Sequence, residues 1–332
     1  MNNIMDKREF IKRGLIGAAT LGTTGKVAAA MEDSERIINS TGIKKKKLGN
    51  TGFDVFPVAY GGIVSNRDGQ LASDNYVAWA LDHGVNYFDV APSYGDAQEK
   101  LGLSLKPFRK DKYLACKTTQ RIRSDAEKEF EESLRLLHTD YFDLYQLHSI
   151  TTPEDVDRAF GSNGIMEMIE KEKQRGRIRK VGFSAHSQTQ ALRAMSIYDF
   201  DTVMFPINWQ MIMRDGWGAQ VADDAKRRRM GVIALKGLIH RSWINDEERK
   251  QYPKSWCKPI DVDNSDLAIA ALKYTFNAGA DIIVPPGDFR NFAFCVEQIE
   301  HILNNSLSKR EKKLLDSEYL AVKDYPFFEP RT

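Results

Sequence analysis

Four residues of this chain have side chains suited to acid–base chemistry, and each stands at or just beyond the end of an apolar run. Asp89 follows Asn86-Tyr87-Phe88, Tyr94 comes five residues later, Lys117 closes Tyr113-Leu114-Ala115-Cys116, and His148 closes Leu144-Tyr145-Gln146-Leu147. Together they form one acid–base device. A phenol ordinarily titrates at about pH 10, so a tyrosine that delivers a proton near neutrality must be tuned downward, and a buried ammonium beside it does this by favouring the ionised form. On that argument Tyr94 is the proton donor and Lys117 lowers its pKa. Asp89 holds Lys117 in place and offsets part of the cost of burying it. His148, donating a hydrogen bond, orients a carbonyl oxygen and shares the negative charge that develops there. A hydride arriving on the opposite face of that carbonyl completes a reduction, with no metal and no covalent intermediate.

Such residues meet only if the fold brings successive strand ends to one mouth. From about residue 43 the chain repeats a short β-branched or aromatic run, a loop and an amphipathic helix. Strands are predicted near Val55–Tyr60, Val85–Val90, Tyr113–Lys117, Phe142–His148, Lys180–Ser184, Val203–Ile207, Gly231–Lys236 and Asp281–Pro285. Helix starts are marked by Asp96 with Glu99, Ser124 with Glu127 and Ser187 with Gln190, and helix ends by Gly84, Gly176 and Gly279. Phe130, Leu134 and Leu137 fall at helical spacing and offer one apolar face to a sheet.

Strands that alternate with helices pair in parallel, because a helix returns the chain to the same end. Eight units favour a closed (β/α)8 TIM barrel over an open doubly wound sheet, and Val58-Ala59-Tyr60-Gly61-Gly62 lacks the GxGxxG turn a dinucleotide-binding sheet needs. The barrel is expected over residues 43–325, after a polar linker at 31–42 and before a short tail at 326–332. In such a barrel the chemistry sits at the C-terminal ends of the strands.

Composition agrees with a globular chain: 42% hydrophobic and 28% charged residues leave enough apolar surface for a core. A net charge of +2, with basic residues grouped only briefly at Lys44–Lys47 and Arg227–Arg229, argues against a nucleic-acid partner. Cys116, Cys257 and Cys295 form no CxxC pair, so neither a disulfide framework nor a cysteine metal site is expected.

The first thirty residues have the three-part layout of an export signal. A basic start at Met5-Asp6-Lys7-Arg8-Glu9-Phe10-Ile11-Lys12-Arg13 leads to an uncharged stretch from Gly14 to Gly25 and then to Val27-Ala28-Ala29-Ala30. Lys7-Arg8-Glu9-Phe10-Ile11-Lys12 resembles a twin-arginine signal with lysine at its first arginine. This implies the twin-arginine machinery as a partner, a periplasmic or exported destination, and cleavage near Ala30. The uncharged run falls short of the roughly 20 residues of a spanning helix, so no stable membrane anchor is expected. The alternative is an uncleaved arm on a cytoplasmic protein.

The acid–base residues resemble the Asp, Tyr, Lys and His tetrad of the aldo-keto reductase superfamily. Asn86-Tyr87-Phe88-Asp89-Val90-Ala91-Pro92-Ser93-Tyr94-Gly95 is similar to its Asp-to-Tyr signature, and Asp140-Tyr141-Phe142-Asp143-Leu144-Tyr145-Gln146-Leu147-His148 to its His strand. The resemblance implies carbonyl–alcohol interconversion on a small-molecule carbonyl substrate. It also implies a nicotinamide cofactor, NADP(H) first, with NAD(H) the other candidate. For the carboxamide end it points to Ser184; Ala185 and Met204 replace the family's usual Asn and Gln, which leaves His186 or Asn208 as substitutes. Lys236, Gly237 and Leu238 fall where the family binds the pyrophosphate, and Gly287, Arg290, Asn291, Glu297 and Gln298 where it holds the adenosine end. Arg290 near a helix N-terminus suits a 2′-phosphate, whereas Asp288 beside it suits the free 2′-hydroxyl of NAD. The segment from Ile239 to Asp263 is either a flap over the cofactor or a disordered insertion. Two rival functions stay open: a cofactor-binding redox-sensing or regulatory subunit without significant turnover, and a sugar oxidoreductase that retains its cofactor between turnovers.

Overall fold

The computed structural model describes residues 43–327. The export-like segment, the linker at 31–42 and the end of the C-terminal tail lie outside the described residues. Eight parallel strands follow one another around a barrel: β1 (Tyr60–Gly61), β2 (Tyr87–Asp89), β3 (Tyr113–Thr118), β4 (Phe142–Ile150), β5 (Ile178–Ala185), β6 (Thr202–Pro206), β7 (Gly231–Leu235) and β8 (Ile282–Val284). The ring closes just before β1, where Val58 bridges Ile283. There Ala59 N–H donates to the Ile283 carbonyl at 2.9 Å, and Ile283 N–H donates to that of Pro57 at 3.0 Å. This is the expected (β/α)8 barrel.

Alternation along each strand divides two apolar layers. Tyr87, Ala115, Leu144, Met204 and Ile233 fill the barrel, while Tyr145 packs outward among the helices. The helix Arg123–Leu136 presents Phe130 edge-on to Phe142 and Tyr145, with ring centroids 5.6 and 5.1 Å apart. Full burial of such a side chain contributes roughly 1.5–3 kcal/mol. The glycines expected to end helices do so in the left-handed conformation, with φ of 84° at Gly84, 74° at Gly176 and 112° at Gly279.

Several local expectations are corrected. The first predicted strand divides at Pro57, which has no N–H for a ladder: Asp54–Val55 pairs antiparallel with Lys46–Lys47, while Pro57 to Gly61 joins the barrel, bridging Ile283 on one side and pairing with β2 through Tyr60–Gly61 on the other. Asp96 makes no cap hydrogen bond, because its carboxylate accepts from Arg67 N–H at 2.9 Å and pairs with Lys100. Ser124 lies inside the first turn of a helix whose N-cap is Ile122. Ser187 does cap, accepting from Gln190 N–H at 3.3 Å.

The segment from Ile239 to Asp263 is folded. Ile239–Arg241 pairs antiparallel with Lys258–Pro259, and the short helix Asp246–Lys250 between them is held by two 2.7 Å bonds from Arg241 to Glu248. Beyond it Lys254 reaches across the barrel mouth, donating to the Val64 carbonyl at 2.9 Å and pairing with Asp68. Among the described residues no helix is long and apolar enough to cross a membrane.

Candidate active site

The tetrad assembles at the C-terminal mouth of the barrel because its members occupy neighbouring strands. Asp89 ends β2, Lys117 lies near the end of β3, and Lys117 stands in register with Gln146 of β4, two residues before His148. Tyr94 sits in the turn that follows β2: its N–H donates to the Ala91 carbonyl at 3.1 Å, and Gly95 next to it takes a φ of 60°. That turn folds the phenol back over the strand ends. Lys117 Nζ lies 4.9 Å from the centre of the Tyr94 ring, and the rings of Tyr94 and His148 meet edge to face at 5.8 Å.

Beneath the phenol, Lys117 and Asp89 form an ion pair that is almost completely buried. Burial pulls the lysine pKa down, but the charges of Asp89 and Tyr94 outweigh it and hold Lys117 above its ordinary value. Lys117 is therefore a fixed cation. Tyr94 departs from the sequence expectation. Burial raises its pKa above 10, and Lys117 offsets only part of that rise. In the ligand-free protein the phenol keeps its proton throughout the neutral range, as a proton donor in reduction must.

His148 is held by a distortion of β4, whose register against β5 shifts between Leu147 and Ile150 while Ser149 takes a φ of 60°. Such a bulge re-aims a side chain at a barrel rim. Two bonds secure it: Ser149 N–H donates to the Ser184 hydroxyl at 2.8 Å, and Arg121 donates to the His148 carbonyl at 2.6 Å. Burial, followed by the nearby charges of Lys117, His186 and Arg121, depresses the His148 pKa to about 2. The imidazole is thus neutral, a hydrogen-bond donor and not a proton source. The reductive rate should consequently be flat between about pH 6 and 9 and fall only above about pH 10, as the phenol ionises. A pH profile of kcat/KM checks this, and a limb centred near pH 6.5, the ordinary histidine value, would show that His148 titrates in catalysis.

A cavity of about 440 Å³ opens over these residues, lined by Asp89, Tyr94 and His148 together with Ser184, Lys236 and Gly287. Lys236 is half-buried there with a φ of 62°, and burial lowers its pKa although the Cys257 thiol works against this. A wider cleft of about 810 Å³ meets the first at Tyr94, with Asn66, Arg67, Arg249 and Lys250 among its lining residues.

The remaining cofactor candidates lie away from the cavity lining. Asn208 is buried and caps the helix Trp209–Asp215, its Oδ1 accepting from Met211 N–H at 3.0 Å. Gly237 and Leu238 are packed in the interior, where a Cβ on Gly237 would press on Leu272 at 3.2 Å. Arg290 is exposed and pairs with Asp261 at 3.3 Å and with Asp263, which raises its pKa. Asp288 accepts from Arg290 N–H at 2.8 Å as the N-cap of the helix Phe289–Asn304. Asn291 is buried in that helix, Glu297 is exposed and Gln298 half-buried.

Residues that the sequence reading did not single out also build the site. Trp256 and Cys257 line the cavity from the folded segment, Phe327 lines it from the C-terminus, and Arg121 pins the His148 bulge. Trp256 and Cys257 belong to the segment offered as a flap, while nothing local marks Phe327 or Arg121, which act on groups far away in sequence.

A sequence profile of the Aldo/keto reductase family matches residues 66–255, more than half of the chain, and this range contains the whole tetrad. The chain belongs to the aldo/keto reductase family. An uncharacterized oxidoreductase of Bacillus subtilis is 30% identical over 161 residues, covering 43% of this chain and 49% of that one. An L-galactose dehydrogenase of Arabidopsis thaliana is 31% identical over 168 residues, with the same two shares of 43% and 49%. The chain thus spans about half the length of the relatives it matches. Among solved structures, a holo-form aldo-keto reductase of Bacillus halodurans superposes with a TM-score of 0.65 at 20% identity, covering 87% of this chain and all of that one. A glycerol dehydrogenase of Gluconobacter oxydans gives 0.63 at 21% identity, covering 88% and 99%. At these identities the structural likeness establishes the fold.

Proposed function

We propose that this aldo/keto reductase family member interconverts a carbonyl and an alcohol by direct hydride transfer with NADP(H). The observation that carries the reading is the protonated Tyr94 phenol set against neutral His148 and above the buried Lys117–Asp89 pair, with Tyr94, His148 and Asp89 lining one cavity. The donors around the cavity suit a nicotinamide dinucleotide. The Ser184 hydroxyl and His186 are polar groups for the carboxamide, and Lys236 is a cation for the pyrophosphate. When bound, the nicotinamide supplies the hydride. Tyr94 delivers the proton to the carbonyl oxygen, His148 donates a hydrogen bond to that oxygen, and Lys117 stabilises the phenolate left behind. Asp89 keeps the lysine charged. A screen of aldehydes, ketones and sugars that follows NADPH consumption tests the reading. Turnover of none of them with either NADPH or NADH would leave the rival of a binding or regulatory subunit.

NADP(H) preference rests on Arg290, a cation at the start of the helix after β8. To grip a 2′-phosphate it must exchange its bonds to Asp261 and Asp263, so only part of a charge-assisted bond is gained. Arg290→Ala is expected to weaken NADPH binding about 10-fold, equal to roughly 1.4 kcal/mol, and to leave NADH unchanged. Equal weakening of both would make Asp288 the selector. One feature favours a retained cofactor: Lys254 straps the folded segment across the mouth, and Gly287 N–H donates to its carbonyl at 3.2 Å. Nicotinamide that survives gel filtration of the purified protein would support retention; its loss would indicate free exchange.

We further propose that the N-terminal segment is an export signal. Mature protein is expected to begin near Met31 outside the cytoplasm, and Lys7→Gln with Arg8→Gln should hold it inside. An intact Met1 terminus in the cytosol of unmutated cells would remove it.

A further inference from the structure

We propose that Gln146 is a positioning residue of the tetrad, gripping Asp89 by its second oxygen so that Lys117 stays aimed at Tyr94. The inference rests on Tyr94 being the acid. Asp89, Lys117 and Gln146 lie on the adjacent strands β2, β3 and β4; Lys117 is in register with Gln146, and Asp89 pairs with Ala115, two residues before Lys117. Lys117 Nζ donates to Asp89 Oδ1, and Gln146 Nε2 donates to Asp89 Oδ2 at 3.0 Å. An ionised carboxylate only accepts hydrogen bonds, so the amide must present its nitrogen to Asp89 and its oxygen elsewhere. With a donor at each oxygen the carboxylate cannot rotate about its Cβ–Cγ bond. Without Gln146 one buried oxygen has no donor, and the carboxylate can turn and draw the ammonium away from the phenol.

The arrangement carries a cost that packing does not require. Gln146 is fully buried, and its Oε1 has no hydrogen-bond partner among the described residues. On the neighbouring strand Gly182 leaves room for it: a Cβ there would collide with Thr202 Oγ1 and press on Gln146 Cγ at 3.3 Å. A leucine of similar volume would satisfy the packing and leave no orphan acceptor. The amide is therefore accounted for by the bond it makes to Asp89.

The titratable groups that face Asp89 are Lys117, Tyr94, Tyr87 and Cys116. Two of these, Lys117 and Tyr94, belong to the proton-delivery device, so its ionisation reports the geometry directly. The experiment compares the intact protein with Gln146→Leu and Gln146→Glu. Ultraviolet titration of the Tyr94 phenol, read as the difference between each protein and its Tyr94→Phe counterpart, needs no substrate. In Gln146→Leu the phenol is expected to ionise about one pH unit higher, a tenfold loss of stabilisation by Lys117. Turnover of carbonyl substrate should fall about 10-fold with KM unchanged, while the melting temperature holds or rises. Gln146→Glu is expected to approach parent activity at low pH, where the protonated acid still donates to Asp89, and to lose it as the second carboxylate ionises. An unchanged phenol titration in Gln146→Leu would overturn the proposal. So would a lower melting temperature with unchanged titration, since that marks a purely structural role. A shifted titration in a protein that turns over no carbonyl would uphold the positioning role and refute the oxidoreductase reading.

Discussion

Tyr94→Phe is expected to lower turnover by about 10²-fold or more, the usual loss when a general acid is removed. The substitution deletes one hydroxyl and keeps the ring, whose edge-to-face contact with His148 and place beside Lys117 survive. Folding and cofactor affinity should therefore match the parent. Steady-state kinetics together with cofactor titration checks both halves. Turnover within a few-fold of the parent would show that another group delivers the proton, and a loss of cofactor affinity would show that the phenol serves binding instead.

Breaking the ion pair under the phenol should produce the largest change in stability. Lys117 and Asp89 are almost without solvent contact, so Asp89→Asn leaves a buried ammonium with no counter-charge. Losing one partner of a buried pair costs about 3–5 kcal/mol. In a barrel of this size that corresponds to a melting temperature lower by roughly 10 °C. Turnover falls too, because an unheld cation no longer stabilises the phenolate. Adding Lys117→Met to Asp89→Asn removes the orphan charge and should recover most of the stability without recovering activity. Thermal unfolding and kinetics of the single and double variants separate the two roles. If the double variant is no more stable than the single one, the loss came from packing and not from an uncompensated charge.

The same pair shows where the sequence was legible. Asp89, Lys117 and His148 each close an apolar run, and a barrel brings all strand ends to one mouth; with Tyr94 five residues past Asp89, the four could be placed together from local pattern alone. The eight strands and the left-handed glycines were readable for the same reason, since periodicity and turn chemistry are set within a few residues. The direction of the Tyr94 shift was not. Attraction to Lys117 is implied by the residue types, but the burial that outweighs it depends on what the fold packs around the phenol.

Partner choice was hidden in the same way. Asp96 and Ser124 have the composition of caps, yet Asp96 is taken up by Arg67, from a loop 29 residues earlier, and Ser124 falls two residues past the N-cap Ile122. Asn208 was placed beside the cofactor by its position after β6, whereas the fold spends its side chain on a helix start. Arg290 faces two aspartates from the segment before the last helices of the barrel, and Gln146 reaches an aspartate 57 residues away across an intervening strand. The sequence by itself determined the order of the eight barrel strands and which acid–base groups stand at their ends, because those properties are local. The tertiary structure decided which group each side chain pairs with and which way its pKa moves, because both depend on neighbours and solvent exclusion supplied by elements distant in the chain.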